Sequence, residues 1–270
     1  MGLGFTLALL IGFVAYRRGS LSRSGVVGAI LIGATIFGLG GLAWSVVLIV
    51  FFVSSSALSH FREARKASLA EKFSKGSRRD LAQTLANGGA GALIVIANFV
   101  WPSALWWAAF VGALATVTAD TWATELGVLS KARPRLITTG GEVEVGTSGG
   151  VTLTGTLAAL GGAVMIGLFA AGFHMFNGNS FLLSLFLLLS AALSGLAGSL
   201  VDSVMGATVQ TIYFCDSCGK ETERHPLHTC GAQAPTRYHR GLRWLDNDWV
   251  NFLSSLVGAA LAAGMWRVAR

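Results

Sequence analysis

Asp120 and Asp202 each continue a run of small residues spaced four apart: Gly112, Thr116, Asp120 and Thr124 in one segment, Ser190, Ser194, Gly198, Asp202 and Gly206 in another. Residues four apart share a helix face, so each carboxylate extends the stripe by which its helix approaches a neighbour. An acid there is costly unless it is paired or coordinates a cation, and so marks a functional site. An acid that merely ends a helix in water is the alternative for either one alone; two at matching positions favour the first reading. Near the C-terminus, Asp246, Asn247, Asp248 and Asn251 gather oxygen donors at a helix start. That set suits Mg²⁺ and the phosphates it carries, although Asp246 also fits an ordinary N-cap.

The groups that would meet a phosphate lie elsewhere in the chain. Arg79 and Asp80 precede Gln83, Asn87 and Gly88, and Arg79, Gln83 and Asn87 fall at four-residue spacing. This predicts a polar helical stripe headed by a guanidinium, suited to bidentate phosphate contact. A basic cluster bound to anionic lipid explains residues 62–75 equally well, but not Gln83 and Asn87. Thr121 and Glu125 follow Asp120, and Ser203 and Gln210 follow Asp202. Gly146-Thr147-Ser148-Gly149-Gly150 precedes a helix and predicts backbone N–H groups open to an anion. Residues 141–148 nearly fit a P-loop, but Thr147 stands where the lysine is required, which excludes that motif. Thr147 and Ser148 also suit helix capping.

All three cysteines of the chain fall in one segment, as Cys215-x2-Cys218 and then His228-x-Cys230. An odd number of thiols facing a reducing compartment argues against disulfides, and Cys₃His is a complete tetrahedral zinc set. The expectation is a structural zinc knuckle, with His225 as the substitute for His228.

These residues must be positioned by a membrane bundle. The chain is 53% hydrophobic and 12% charged, with repeated apolar runs long enough to cross a bilayer. The expected fold class is all-α: a polytopic membrane helix bundle of seven or eight spans forming one integral membrane domain, residues 1–270. Spans are read at Gly2–Tyr16, Ser24–Gly40, Leu42–Ser59, Leu81–Trp101, Ser103–Ala119, Val151–Phe173, Phe181–Leu200 and Trp249–Trp266. The first, at 15 residues, is the shortest and need not cross.

With this threading all 13 carboxylates and 18 of the 20 Lys and Arg residues share one face, which the positive-inside rule makes cytoplasmic. That face carries a basic loop at 61–80, a nucleotide-binding loop at 120–150 and the cysteine-bearing loop at 214–248. The loops hold 18 basic against 13 acidic residues, an excess suited to anionic lipid and nucleotide and not to a nucleic-acid partner. The start lacks the basic n-region of a secretory signal. Met1-Gly2-Leu3-Gly4-Phe5-Thr6 fits a myristoylation pattern by chance, because it opens an apolar helix on the opposite face. Small-residue stripes serve packing within a subunit or between subunits alike, so a homo-oligomer is compatible with them.

Taken in order, six segments resemble the membrane family that includes the plant phytyl-phosphate kinase of vitamin E synthesis. They are Arg79-Asp80-x2-Gln83-x3-Asn87-Gly88-Gly89, Ala119-Asp120-Thr121-Trp122-Ala123-x-Glu125-Leu126-Gly127, Pro134-Arg135-Leu136-Ile137-Thr138, Gly146-Thr147-x-Gly149-Gly150-Val151, Asp202-Ser203-x2-Gly206-Ala207-Thr208-x-Gln210 and Asn247-Asp248-x-Val250-Asn251. A more distant similarity is to the CTP-using dolichol and phytol kinases and CDP-diacylglycerol synthase, from which the chain departs in lacking the lysine before the glycine turn.

The resemblance implies transfer of a phosphoryl group from a nucleoside triphosphate, CTP in the distant relatives, to a phytyl or polyprenyl monophosphate. Asp120, Asp202 and Asp248 would hold Mg²⁺, with Glu125 and Asn247 next in line. Arg79, Gln83 and Asn87 would hold a phosphate, and Gly146, Thr147, Gly149 and Gly150 would cradle the nucleotide. The alternatives are a cytidylyltransferase making a CDP-lipid and a lipid-phosphate transporter. A transporter would group its polar residues at the bilayer midplane, whereas here they gather at helix ends.

Overall fold

The computed structural model describes residues 2–62, 78–230 and 233–269, with side chains at residue 6 and from residue 8 onward. Most of the expected basic loop at 61–80 therefore lies outside the described residues. Within them the chain is a polytopic helix bundle. The helices are α1 (Gly2–Arg17), α2 (Arg23–Thr35), α3 (Leu42–His60), α4 (Leu81–Val100), α5 (Ala104–Gly127), α6 (Leu153–Phe176), α7 (Phe181–Thr208) and α8 (Asn247–Val268). A π-helical turn, Ile36–Gly40, continues α2.

Seven of these, α2 with its π turn through α8, are long and apolar enough to cross a membrane. At 16 residues α1 reaches only about 24 Å, short of the roughly 30 Å of hydrocarbon, and it packs on α2. The seven-span version of the threading leaves every other loop assignment in place.

Local chemistry sets the helix starts. Ser22, Ser103, Thr152, Ser180 and Asp246 each cap the helix that follows by accepting a backbone N–H. Two helices run eight residues past their expected ends, from 119 to 127 in α5 and from 200 to 208 in α7. At 24 and 28 residues they are about 36 and 42 Å long, so their inner turns project beyond the hydrocarbon and carry Asp120–Gly127 and Asp202–Gly206 with them.

The predicted stripes are the packing faces. Ala159, Ala163 and Ala171 of α6 and Ser190 and Ser194 of α7 are all buried. Helix α5 is the hub, packed against α3, α4, α6, α7 and α8. A methyl added at Gly112 would clash with the Gly258 carbonyl of α8, and one at Gly198 of α7 would clash with the side chain of Thr116. Glycine lets these backbones meet, and Thr116 uses the proximity: its hydroxyl donates to Gly112 O at 2.9 Å and to Ser194 O at 3.4 Å. Close packing here fixes the two aspartates, one turn further along each stripe, relative to one another.

Two small β units decorate this end of the bundle. Strands β1 (Arg135–Leu136) and β2 (Gly150–Val151) pair antiparallel and close the 128–152 loop. Strands β3 (Ile212–Cys215), β4 (Lys220–Thr222), β5 (Leu227–His228) and β6 (Ala234–Arg240) form an antiparallel sheet in the order β4-β3-β6-β5. The helix-bundle reading did not include this sheet, because its strands are too short and too polar for an alternating pattern to register.

Candidate active site

One cavity of about 530 Å³ lies where the inner ends of α3 to α8 meet. Of the residues expected in the site, Arg79, Gln83, Asn87, Asp120, Thr121, Glu125, Gly146, Thr147, Gly149, Gly150, Asp202, Ser203, Gln210, Asn247 and Asn251 all line it. Five segments spread over more than 170 residues of chain thus share one wall. Two expected residues are absent from it, Asp80 and Asp248.

Asp80 is a helix cap. Its carboxylate accepts the Gln83 N–H at 2.9 Å while its own N–H donates to Gln83 Oε1 at 3.2 Å, a reciprocal capping box. Asp80, expected to bind substrate, thus caps α4 and does not line the cavity. The same geometry corrects the continuous Arg79 stripe, since α4 starts at Leu81 and Arg79 lies in the preceding extended segment. That segment is clamped by the turn between α1 and α2: Arg79 N donates to Ser20 O at 3.0 Å and Ser22 N donates to Arg79 O at 2.9 Å. The guanidinium lies over Phe51 and Phe52 and donates to Ser56 Oγ at 3.3 Å. Burial holds its proton affinity below the ordinary guanidinium value, opposed by the neighbouring Glu125 carboxylate.

Asp248 occupies the first turn of α8, one residue from Asn247 and three from Asn251. Asn247 and Asn251 share the helix face that lines the cavity, and Asp248 lies about 100° round from Asn247. A different acid completes the set. Glu223, just after β4, lines the cavity with Asp120 and Asp202, and the three carboxylates are close enough to interact electrostatically. No sequence signal pointed to Glu223: it sits in a polar loop with neither helical spacing nor a motif, and only the folding of the sheet over the bundle brings it in.

Hydrogen bonds fix most of these acids. Ser254 Oγ of α8 donates to Asp202 at 3.0 Å, Ser59 Oγ of α3 donates to Glu125 at 2.7 Å, and Gln210 Nε2 donates to Glu223 at 2.8 Å. Gln210 in turn accepts from Ser148 Oγ at 2.9 Å, which ties the glycine turn to the end of α7. Among the described residues no side chain hydrogen-bonds or ion-pairs with the Asp120 carboxylate.

The glycine turn differs from its expected form. Helix α6 begins at Leu153, capped by Thr152, so Gly150 belongs to strand β2 and not to a helix start. Thr147 N donates to Glu144 O and Gly150 N to Thr147 O, which leaves the N–H groups of Gly146, Ser148 and Gly149 with no acceptor among the described residues. Gly146 and Gly149 have φ of +83° and +81°, a left-handed backbone that side chains disfavour. A methyl at Gly149 would also lie 2.5 Å from the Ala207 methyl.

The charge balance of the cavity is opposite to that of the loops. Among the described residues four carboxylates, Asp120, Glu125, Asp202 and Glu223, line it against one cation, Arg79. The basic excess expected to favour anions therefore belongs to the surrounding loops. Like-charged carboxylates in a confined space are stable together only when cations or protons offset them, and this all-oxygen donor set with Asn247 and Asn251 suits a hard divalent ion. Beside the acids, Ala123, Ala159, Leu196 and Leu200 give the cavity an apolar wall from α5, α6 and α7.

The integral membrane protein DUF92 family model matches residues 6–259. Protein PGR of Arabidopsis thaliana is 37% identical over 95% of this chain and 93% of its own. An uncharacterized membrane protein of Methanocaldococcus jannaschii is 34% identical over 69% of this chain and 74% of its own. Protein VTE6, chloroplastic, of Arabidopsis thaliana is 25% identical over 90% of this chain and 64% of its own. No solved structure matches. With nearly its whole length matched, and with the apolar helices such a protein requires, the chain belongs to the integral membrane protein family DUF92.

Proposed function

We propose that the protein is a membrane kinase that phosphorylates an isoprenoid lipid monophosphate to the diphosphate, using a nucleoside triphosphate, CTP by analogy with the distant relatives. The observation that carries this reading is the cavity itself: four carboxylates, one guanidinium and a glycine turn with open N–H groups beside an apolar wall. Phosphoryl transfer needs mainly positioning and charge neutralisation, and the cavity lining contains no histidine among the described residues.

In this reading Asp120, Asp202 and Glu223 hold Mg²⁺, with Asn247 and Asn251 nearby. The ion would neutralise the phosphate oxygens in a cavity that would otherwise repel them. Arg79, with the side-chain amides of Gln83 and Asn87, holds the lipid phosphate. The Gly146–Gly150 turn receives the nucleotide phosphates, and the Ala123, Ala159, Leu196 and Leu200 wall takes the first isoprene units. An oxygen of the lipid phosphate attacks the terminal phosphorus, the bond to the bridging oxygen breaks, and nucleoside diphosphate leaves. An ionised phosphate monoester needs little base catalysis. The positive-inside rule puts this mouth on the cytoplasmic side.

The experiment is purified protein with Mg²⁺, phytyl or geranylgeranyl monophosphate and nucleotides labelled at the α or γ position. Transfer of γ label into a lipid diphosphate is expected. Transfer of α label instead, with release of pyrophosphate, would identify a cytidylyltransferase and remove the kinase reading.

A further inference from the structure

We propose that Cys215, Cys218, His228 and Cys230 bind one Zn²⁺ in a closed tetrahedral site that locks the four-stranded sheet over the cavity mouth. Cys215 ends β3, Cys218 lies in the turn to β4, His228 ends β5 and Cys230 follows it, so the ligands join both hairpins of the sheet. Their ligand atoms all lie within 4.8 Å of one another. The Cys215 and Cys230 sulfurs are 3.7 Å apart, and Cys218 Sγ is 3.4 Å from His228 Nδ1. A tetrahedron with Zn–S of about 2.3 Å and Zn–N of about 2.0–2.1 Å has S···S edges of about 3.8 Å and S···N edges of about 3.5 Å. The observed separations match those edges, and the sulfurs are too far apart for a disulfide at about 2.05 Å.

A second observation supports an ion. Residues 212–240 form a 29-residue unit in which the buried side chains among the described residues are Ile212, Cys215, Thr222, His228 and Ala234. So little buried apolar surface cannot hold four strands by itself, and units of this size are usually closed by a metal or disulfides. His225, the substitute ligand considered from the sequence, is engaged elsewhere: it stacks on Tyr213 at 4.3 Å and its Nδ1 lies 3.2 Å from Thr236 Oγ1.

The site is structural, since its four positions are filled by protein. Its consequence is positional. The sheet is tied to α7 by Arg240, which donates to Ala207 O at 3.0 Å, and it delivers Glu223 to Gln210. The proposal does not depend on the kinase reading, because metal content reports on it without turnover.

The test is metal analysis of the full chain purified in detergent without chelators from zinc-replete cells, followed by exchange of zinc for Co²⁺. One zinc per chain and the strong visible bands of tetrahedral thiolate-rich Co²⁺ are expected. His228→Cys should keep the metal and shift those bands towards the four-thiolate pattern, whereas His225→Ala should leave them unchanged. Cys218→Ser should weaken metal binding at least tenfold; if that variant does not accumulate, the His228→Cys shift decides. Wild-type protein that carries fewer than about one zinc per ten chains and takes up no Co²⁺ after reduction would overturn the proposal. An unshifted His228→Cys spectrum would remove His228 from the ligand set.

Discussion

The amide of Gln210, at the end of α7, donates to the carboxylate of Glu223, just beyond β4, at 2.8 Å. Gln210 is 2% exposed and also accepts from Ser148, so one buried side chain holds the small sheet and the glycine turn against the same helix end. Gln210→Glu would set a second carboxylate against Glu223 and remove the donor. Turnover is expected to fall at least tenfold, with a smaller loss in Gln210→Ala. Equal activity in the glutamate variant and the wild type would show that Glu223 does not need this partner.

Asp120 faces the cavity, and among the described residues no side chain hydrogen-bonds or ion-pairs with its carboxylate. Asp120→Asn keeps its volume and removes its charge, so expression and monodispersity in detergent should be retained. Turnover should fall by about 10²–10³, the usual loss when one electrostatic contact to a transferring group is removed. Asp248→Asn, on a face outside the cavity, is expected to stay within about twofold of wild type under the same assay. The contrast between the two variants separates the helix face from the sequence motif.

Arg79→Lys preserves the charge but removes the planar fork and its stacking over Phe51 and Phe52. The KM for lipid phosphate should rise about tenfold with a smaller change in kcat, because a bidentate contact is replaced by a point charge. An increase in the nucleotide KM instead would move Arg79 to the other substrate.

Gly149→Ala adds a methyl beside Ala207 in a backbone with φ of +81°. The turn must shift, at roughly 1–3 kcal/mol, and the detergent-solubilised protein should melt several degrees lower and lose nucleotide binding. Gly140→Ala, also at positive φ but with open space around its Cβ, should keep nucleotide binding. Nucleotide titration by fluorescence or calorimetry distinguishes the two.

If Asp120, Asp202 and Glu223 hold Mg²⁺ as proposed, the acidic cavity should depend on it for anion binding. Omitting it should abolish both turnover and tight nucleotide binding, and Mn²⁺ should restore them better than the larger Ca²⁺. Binding of nucleotide with unchanged affinity in a Mg²⁺-free buffer would mean that Arg79 and the glycine turn suffice.

What could be read from the sequence was what local chemistry and periodicity impose. Apolar runs the length of a bilayer give spans, and small residues four apart give packing faces. An aspartate on such a face, as at 120 and 202, has to point into the bundle. Those facts led to the expectation that Asp120, Asp202, Arg79 and the glycine turn share one face, and the tertiary structure brings them to one cavity. Which face of α8 looks inward was decided by its packing against α5 and α7, a tertiary fact that selects Asn247 and Asn251 over Asp248 although all three lie within five residues. The role of Asp80 depended on where α4 begins, and Glu223 enters only because the sheet folds back over the helix ends. The reversal of charge between loops and cavity has the same origin: composition counts every residue equally, while packing chooses the few that meet.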